Sequence, residues 1–264
     1  MYLQLSFRQF SRRPWRAYYS FCRLPPHFPL PKFCATIFPG TTFIKLEESD
    51  AQKEGKGARM DNAKIVPLMP REKVLFPGML LPLHVTQPRY LLFVNRCLDR
   101  HGEFGVVLAT DNPLRPHRVG TLAKIIDYEP REDGMTLLLT GTQRFTVGEM
   151  VDDEPYLTAM IEPHPLICAA SPEELDIRAA QARRLFSRCI RLIASHRGAD
   201  AQSVPILPIK MPDLGWAIAA ALAIPLAERQ RLLEKENPTS LLQSEILYLE
   251  SLVAQLRHGV EDEL

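Results

Sequence analysis

The sequence predicts an α+β protein, with a β-rich segment over residues 60–168 and a helical bundle over residues 169–264. Three observations carry that prediction. Between Ile65 and Pro165, short apolar or alternating runs are separated by Pro and Gly turn signals, the pattern of closely spaced strands. From Ser171 onward, apolar residues recur every three or four positions, the period of a helix buried on one face. Residues 1–59 follow neither pattern.

The first strand is expected at "IVPLM" and the second at "LLPLHV", set apart by the Pro-Gly turn signal of "FPG". The apolar stretch "VLFPGMLLPLHVTQPRY" (Val74–Tyr90) is too short and too interrupted to cross a membrane, which takes about 20 unbroken apolar residues. Its prolines are expected at turns or strand edges, where a missing N–H does no harm. Pro88 then opens a helix, "PRYLLFVNRCLDRHG", with Tyr90, Leu91, Val94 and Leu98 at helical spacing and Gly102 as its stop. "FGVVLAT" reads as a buried strand and "VGTLAKIIDYEP" as an alternating one. After the turn "REDG" come three more, "MTLLLTG", "QRFTVGEMV" and "YLTAMIEP". Strands this short and this closely spaced predict a small antiparallel barrel or sandwich.

The helical half opens on a capping box, with Ser171 at the N-cap, Pro172 at the first helical position and Glu174 at the third. Leu175, Ala182, Phe186, Cys189 and Ile193 continue one apolar stripe up to Gly198. "DLGWAIAAALAI", starting at Asp213, is apolar nearly all round and is expected at the centre of the bundle. "PLAERQRLLEKE" is amphipathic, and Asn237-Pro238 opens a last helix carrying Leu241, Leu242, Ile246, Leu249, Leu252, Val253 and Leu256.

The chain of 264 residues is 46% hydrophobic and 24% charged, ordinary for a globular protein. Its near-neutral balance hides an asymmetry. Residues 1–46 hold seven Lys/Arg and no acid (net +7), leaving 25 basic and 31 acidic side chains beyond them (net −6). A mildly acidic body argues against general nucleic-acid binding, which draws its affinity from neutralising phosphates. The same 46 residues carry 11 of the 21 aromatics and six prolines, without a helical or alternating period. Residues 1–59 are therefore expected to be a disordered or non-native extension ahead of a second start at Met60. A targeting or membrane-surface segment and an RNA-binding arm are the rival readings. The five cysteines (Cys22, Cys34, Cys97, Cys168 and Cys189) include no C-x-x-C pair, so reduced cytoplasmic thiols are expected instead of a disulfide framework or a zinc site.

Motifs for chemistry are missing. There is no phosphate loop ("EGKGAR" lacks its spacing), no G-x-G-x-x-G, no H-E-x-x-H and no G-x-S-x-G. The seven histidines stand far apart, and none pairs with another at metal-ligand spacing. His84 is expected to be a packed, hydrogen-bonded histidine; Asp152, Asp153 and Glu154 a solvated turn; and Trp216 a core residue. Lys64 and Lys73 have no serine nucleophile motif beside them. No catalytic, cofactor-binding or metal-binding residue is assigned, no cofactor is expected, and the chain is expected to be non-enzymatic. The rival, an unrecognised hydrolase, would use His84 or Asp153.

The ordered motifs resemble the Lon substrate-binding domain family, the N-terminal domain of the ATP-dependent protease Lon and its stand-alone bacterial relatives. "IVPLMPREKVLFPGMLLPLHV" looks like the family's opening strands, and "QPRYLLFVNRCL" like its E-P-R-Y helix. "FGVVLA", "VGTLAKIIDYE" and "QRFTV" follow in order. "MPDLGWAIAAALAIPLAERQRLLE" looks like the D-L-x-[WY] helix and the [KR]-Q-x-L-L-E segment after it. The resemblance covers about residues 64–255. Gln87 stands where the family carries an acid and Thr86 where it often has Phe, which removes a salt bridge from that turn.

The resemblance implies a PUA-like antiparallel β pseudo-barrel with an attached helical bundle. It implies that "VLFPGMLLPLHV" forms two strands joined at Pro77-Gly78, and that Arg89 and Tyr90 serve structure at the start of the helix covering the barrel. The implied function is a non-catalytic module that holds unfolded or tagged polypeptides, as a proteolysis adaptor with a Lon-type protease as partner. The chain stops where Lon would continue into its ATPase and Ser-Lys protease domains. A PUA-like domain binding RNA or a small ligand is the alternative, and no membrane partner is expected. Exposure of apolar positions is a property of the fold, so no contact residues are named at this level.

Overall fold

The structure is a computed structural model that describes residues 64–100, 102–112, 115–151, 154–168, 170–196 and 207–261. The N-terminal extension, Met60, Asp152 and Asp153 lie outside the described residues. In chain order the elements are β1 (Lys64–Arg71), β2 (Leu80–Val85), α1 (Pro88–Arg100), β3 (Glu103–Leu108), β4 (Val119–Arg131), β5 (Gly134–Val151) and β6 (Thr158–Pro163). The helical half adds α2 (Pro172–His196), α3 (Asp213–Ala221), α4 (Leu226–Leu233) and α5 (Pro238–Glu261).

The six strands form one sheet in the order β2-β5-β4-β3-β1-β6, and a further β5–β6 pairing closes it into a barrel. The α+β class is as predicted, with three differences of detail. First, β1 and β3 pair in parallel, Leu68 opposite Gly105, while the other pairings are antiparallel. A parallel pair needs a long crossover, which β2 and α1 supply. Second, "MTLLLTG" and "QRFTVGEMV" are one 18-residue strand, β5. It pairs with β2 near its start and with β6 near its end, bending where its register with β4 and β6 shifts.

Gly141, the break expected between those two runs, lies within the strand. A Cβ there would stand 2.3 Å from the Phe76 carbonyl oxygen, so only glycine admits this close approach. That neighbour belongs to another corrected expectation. Val74–Phe76 is a buried segment outside the strands, so only the second half of "VLFPGMLLPLHV" is a strand. The Leu75 carbonyl accepts a hydrogen bond from Thr121 Oγ1 at 2.6 Å, so this buried backbone is satisfied by a side chain. The chain then reverses at Pro77-Gly78, where the Phe76 carbonyl accepts from the Met79 N–H at 3.1 Å and Gly78 has φ +74°. Proline followed by a left-handed glycine is the requirement of a type II turn. Pro82 falls on β2, at the end of the strand order, as expected for a residue without an N–H.

Three apolar clusters hold the molecule together. The barrel interior is filled by side chains such as Leu68, Leu122, Phe145 and Ile161. On the outer wall, α1 lays Phe93, Val94 and Cys97 over Leu81, Leu83, Phe104 and Leu137. Phe93 meets Tyr90, Phe104 and Tyr156 edge-on, at centroid distances of 5.9, 5.3 and 5.0 Å. The third cluster joins the two halves, for Val74, Phe76, Leu108 and Val119 pack with buried residues of the helices. Within it α3 is buried from Leu214 to Ala220, as its apolar sequence predicts, and α5 lies along α2.

The helix starts follow the caps read from sequence. Ser171 Oγ accepts from the Glu174 N–H at 3.2 Å, and Asn237 Oδ1 from the Ser240 N–H at 2.7 Å. The Glu174 carboxylate is engaged by Arg178 one turn on, not by the Ser171 N–H. The arm of the capping box that the structure shows is the serine one.

Candidate functional site

Arg89 and Tyr90 take the structural position expected of them. Tyr90 is buried at the start of α1, with the guanidinium groups of Arg71 and Arg89 at 5.4 and 5.2 Å from its ring centroid. Arg89 Nε donates to Gln87 Oε1 at 3.0 Å, so the guanidinium meets an uncharged amide at the turn where no ion pair was expected. Trp216 is buried, stacked on Phe76 at 6.1 Å with 22° between the rings. Arg144 lies over Trp216 at 4.7 Å and Arg229 over Phe76 at 5.1 Å, so two cations flank two stacked rings at the joint of barrel and bundle. Burial pushes both guanidinium groups down to about 10.

The polar candidates do not converge. His84 is hydrogen-bonded, as expected, to Thr136 (Nδ1–Oγ1, 3.1 Å) and Asp133 (Nε2–Oδ2, 3.1 Å), but it is exposed on β2, not packed. The residue alternation of β2 explains the difference: Leu81, Leu83 and Val85 take the buried face and His84 the other. The hydrogen bond from His84 holds the Asp133 carboxyl below its ordinary range. Glu154 accepts from Arg96 Nη1 at 2.7 Å, which ties the turn before β6 to α1. Lys64 and Lys73 are exposed. Cys97 and Cys189 are buried, and burial pushes the Cys189 thiol up to about 11. Among the described residues, no group of three His, Cys, Asp or Glu could hold a metal, and no helix is long and apolar enough to cross a membrane.

What the outer wall offers is apolar. Ile65 on β1 stands directly opposite Met160 on β6, and the two are 56% and 37% exposed. Directly opposed residues of an antiparallel pair share a face and lie within contact of one another. On β4, Ile126 and Tyr128 are 42% and 49% exposed, Ile126 falling where the register with β5 shifts. No sequence signal separates these residues from core ones. Ile65 sits in the apolar run "IVPLM", whose other face, Val66 and Leu68, is buried in the barrel interior.

A closed barrel sealed by helices and carrying apolar side chains on its outer wall has the build of a binding domain. The comparisons with known proteins say which kind. The family model described as the ATP-dependent protease La (LON) substrate-binding domain matches residues 65–251, and the chain belongs to that family. It is 28% identical over 211 residues to the Lon protease of Anaeromyxobacter dehalogenans, an alignment covering 70% of this chain and 25% of that protein. Lon protease of Methylocella silvestris is 29% identical over 178 residues, covering 63% of this chain and 20% of that protein. The chain thus spans about a quarter or less of these relatives, and the match is to the substrate-binding domain.

Among solved structures, the Lon N-terminal domain protein from Xanthomonas campestris superposes with a TM-score of 0.51 at 27% identity, covering 69% of this chain and 96% of that one. The N-terminal domain of Mycobacterium avium complex Lon protease shares the fold, with a TM-score of 0.55 at 17% identity over 71% of this chain and 98% of that one.

Proposed function

We propose that this domain holds apolar segments of unfolded or tagged polypeptides on its outer wall, as a non-catalytic cytoplasmic adaptor for a Lon-type protease. The observation that carries the reading is the Ile65–Met160 pair, two large apolar side chains set side by side on a barrel wall and left in water. Covering such surface favours association by roughly 25 cal/mol for each Å² of apolar area buried. Methionine, unbranched and polarizable, adapts its shape to partners of differing sequence. Membership in a substrate-binding family supports the same reading.

The test is fluorescence anisotropy of a labelled, permanently unfolded polypeptide titrated with the full chain at low and high salt. Saturable binding that survives high salt is expected. Replacing both residues of the pair (Ile65→Ser with Met160→Ser) should weaken it at least tenfold, about 1.4 kcal/mol. Absence of binding, or an unchanged affinity in the double variant, sinks the reading. Affinity for single-stranded RNA falling steeply with salt would favour the PUA-like nucleic-acid alternative.

A further inference from the structure

Glu245 stands out among the described residues of the bundle. It lies on α5 between Leu242 and Ile246, which belong to the apolar cluster uniting α2, α3 and α5, and it is 0% exposed. Both of its carboxyl oxygens are buried without a hydrogen-bond partner. A buried polar group is ordinarily paired, and an ionised carboxylate without a partner is among the least tolerable groups in a protein interior.

The ionisable groups of the surrounding helices do not relieve it. On α2, Arg178 bonds Glu174 and Gln243, and Arg183 bonds the carbonyls of Pro208 and Ile209. The Cys189 thiol of α2 donates to the Leu249 carbonyl, and burial holds it protonated at neutral pH. Asp213, at the start of α3, is itself pushed up by burial. On α4, Glu228 is taken by Arg231 and by the Tyr248 hydroxyl of α5.

We propose that Glu245 is a proton-gated latch: the α2–α3–α5 packing closes fully only while this carboxyl carries its proton, and α5 loosens from α2 when the proton leaves. Burial holds the carboxyl neutral well above the ordinary glutamate range. The sign follows from linkage. The closed state binds one proton more than the open state at every pH between the ordinary glutamate value of about 4.3 and the raised value in the bundle. Closure is therefore complete in acid and weakens as pH rises through that window, by tenfold in the opening equilibrium for each pH unit.

Cys189 provides a local reporter, since it is 2% exposed on α2 and its thiol reaches the α5 backbone at Leu249. The experiment is peptide-resolved thiol labelling of Cys189 in the full chain from pH 5 to pH 8, for wild type and Glu245→Gln. The glutamine variant keeps the shape and cannot titrate. The ratio of labelling rates, wild type over variant, removes the reagent's own pH dependence. It should climb about tenfold per pH unit across the window. A ratio independent of pH overturns the proposal. Should Glu245→Gln fold poorly, Glu245→Leu is the second variant, and wild-type infrared spectra read the group directly. A protonated carboxylic-acid band at neutral pH, absent from Glu245→Leu, supports the latch, and its absence from wild type overturns it.

Discussion

Trp216 stacks on Phe76, and each ring has an arginine guanidinium over it. This arrangement offsets the cost of burying the Arg144 charge and half-burying that of Arg229. Arg144 Nη1 also donates to the carbonyls of Leu233 and Lys235 at 2.5 and 2.8 Å, and Arg229 Nη1 to that of Leu222 at 2.9 Å. Each guanidinium therefore exchanges water for a ring face and backbone oxygens, although Arg144 Nη2 is buried without a partner. The arrangement makes Trp216 a structural centre and not a ligand platform. Trp216→Ala should lower the unfolding free energy by about 3–5 kcal/mol, since it opens a cavity and strips one face from Arg144. Urea denaturation measures it, and a loss below about 1 kcal/mol would place the ring outside the joint's energetics.

At the scale of elements, α1 shows how one substitution can retune a turn. The Gln87 carbonyl accepts from the N–H groups of Tyr90 and Leu91, while its side chain takes the Arg89 guanidinium. An acid at this position would face both the arginine and the positive end of the helix. Gln87→Glu should raise stability by about 0.3–1 kcal/mol at low salt, and salt should erase the gain. Thermal unfolding of the two proteins at low and high ionic strength decides it. The caps of α2 and α5 were legible because Ser171 and Asn237 act on backbone three residues away, a local interaction that sequence order expresses directly. The continuity of β5 was not. Gly141 reads as a break, whereas its purpose is to let the Phe76 carbonyl approach from a segment distant in sequence. The parallel β1–β3 pair was hidden for the same reason, since strand direction depends on how the crossover packs. The exposed pair Ile65 and Met160 was the least legible of all. An apolar residue looks the same in sequence whether the fold covers it or leaves it bare.

The whole molecule is built so that neither half is complete alone. Val74, Phe76, Leu108 and Val119 belong to the strand-bearing half, yet they share a core with α2, α3, α4 and α5. Gln230 Nε2 of α4 donates to the Val119 carbonyl at 3.0 Å, and the Ile167 N–H to that of Glu236 at 2.7 Å, so backbone polar groups also cross the joint. A fragment ending at residue 168 would leave Phe76 and its neighbours in water. It should bind a hydrophobic dye and lose the cooperative unfolding transition of the full chain, both readable by fluorescence during urea titration. A sharp two-state transition in that fragment would mean the barrel carries its own stability.

The divided pairing of β1 has a consequence for how the protein is made. Its first half, Lys64–Pro67, pairs with β6, and its second half, from Leu68, with β3. During synthesis the second half finds its partner as soon as β3 leaves the ribosome. The first half must wait until Ile161 has emerged, with the whole of β4 and β5 translated in between. Closure joins the first of the described strands to the last, and loops of that length are slow to close. While β2 to β5 are being made the nascent chain therefore carries an unpaired apolar strand segment, the kind of surface that chaperones at the ribosomal exit recognise.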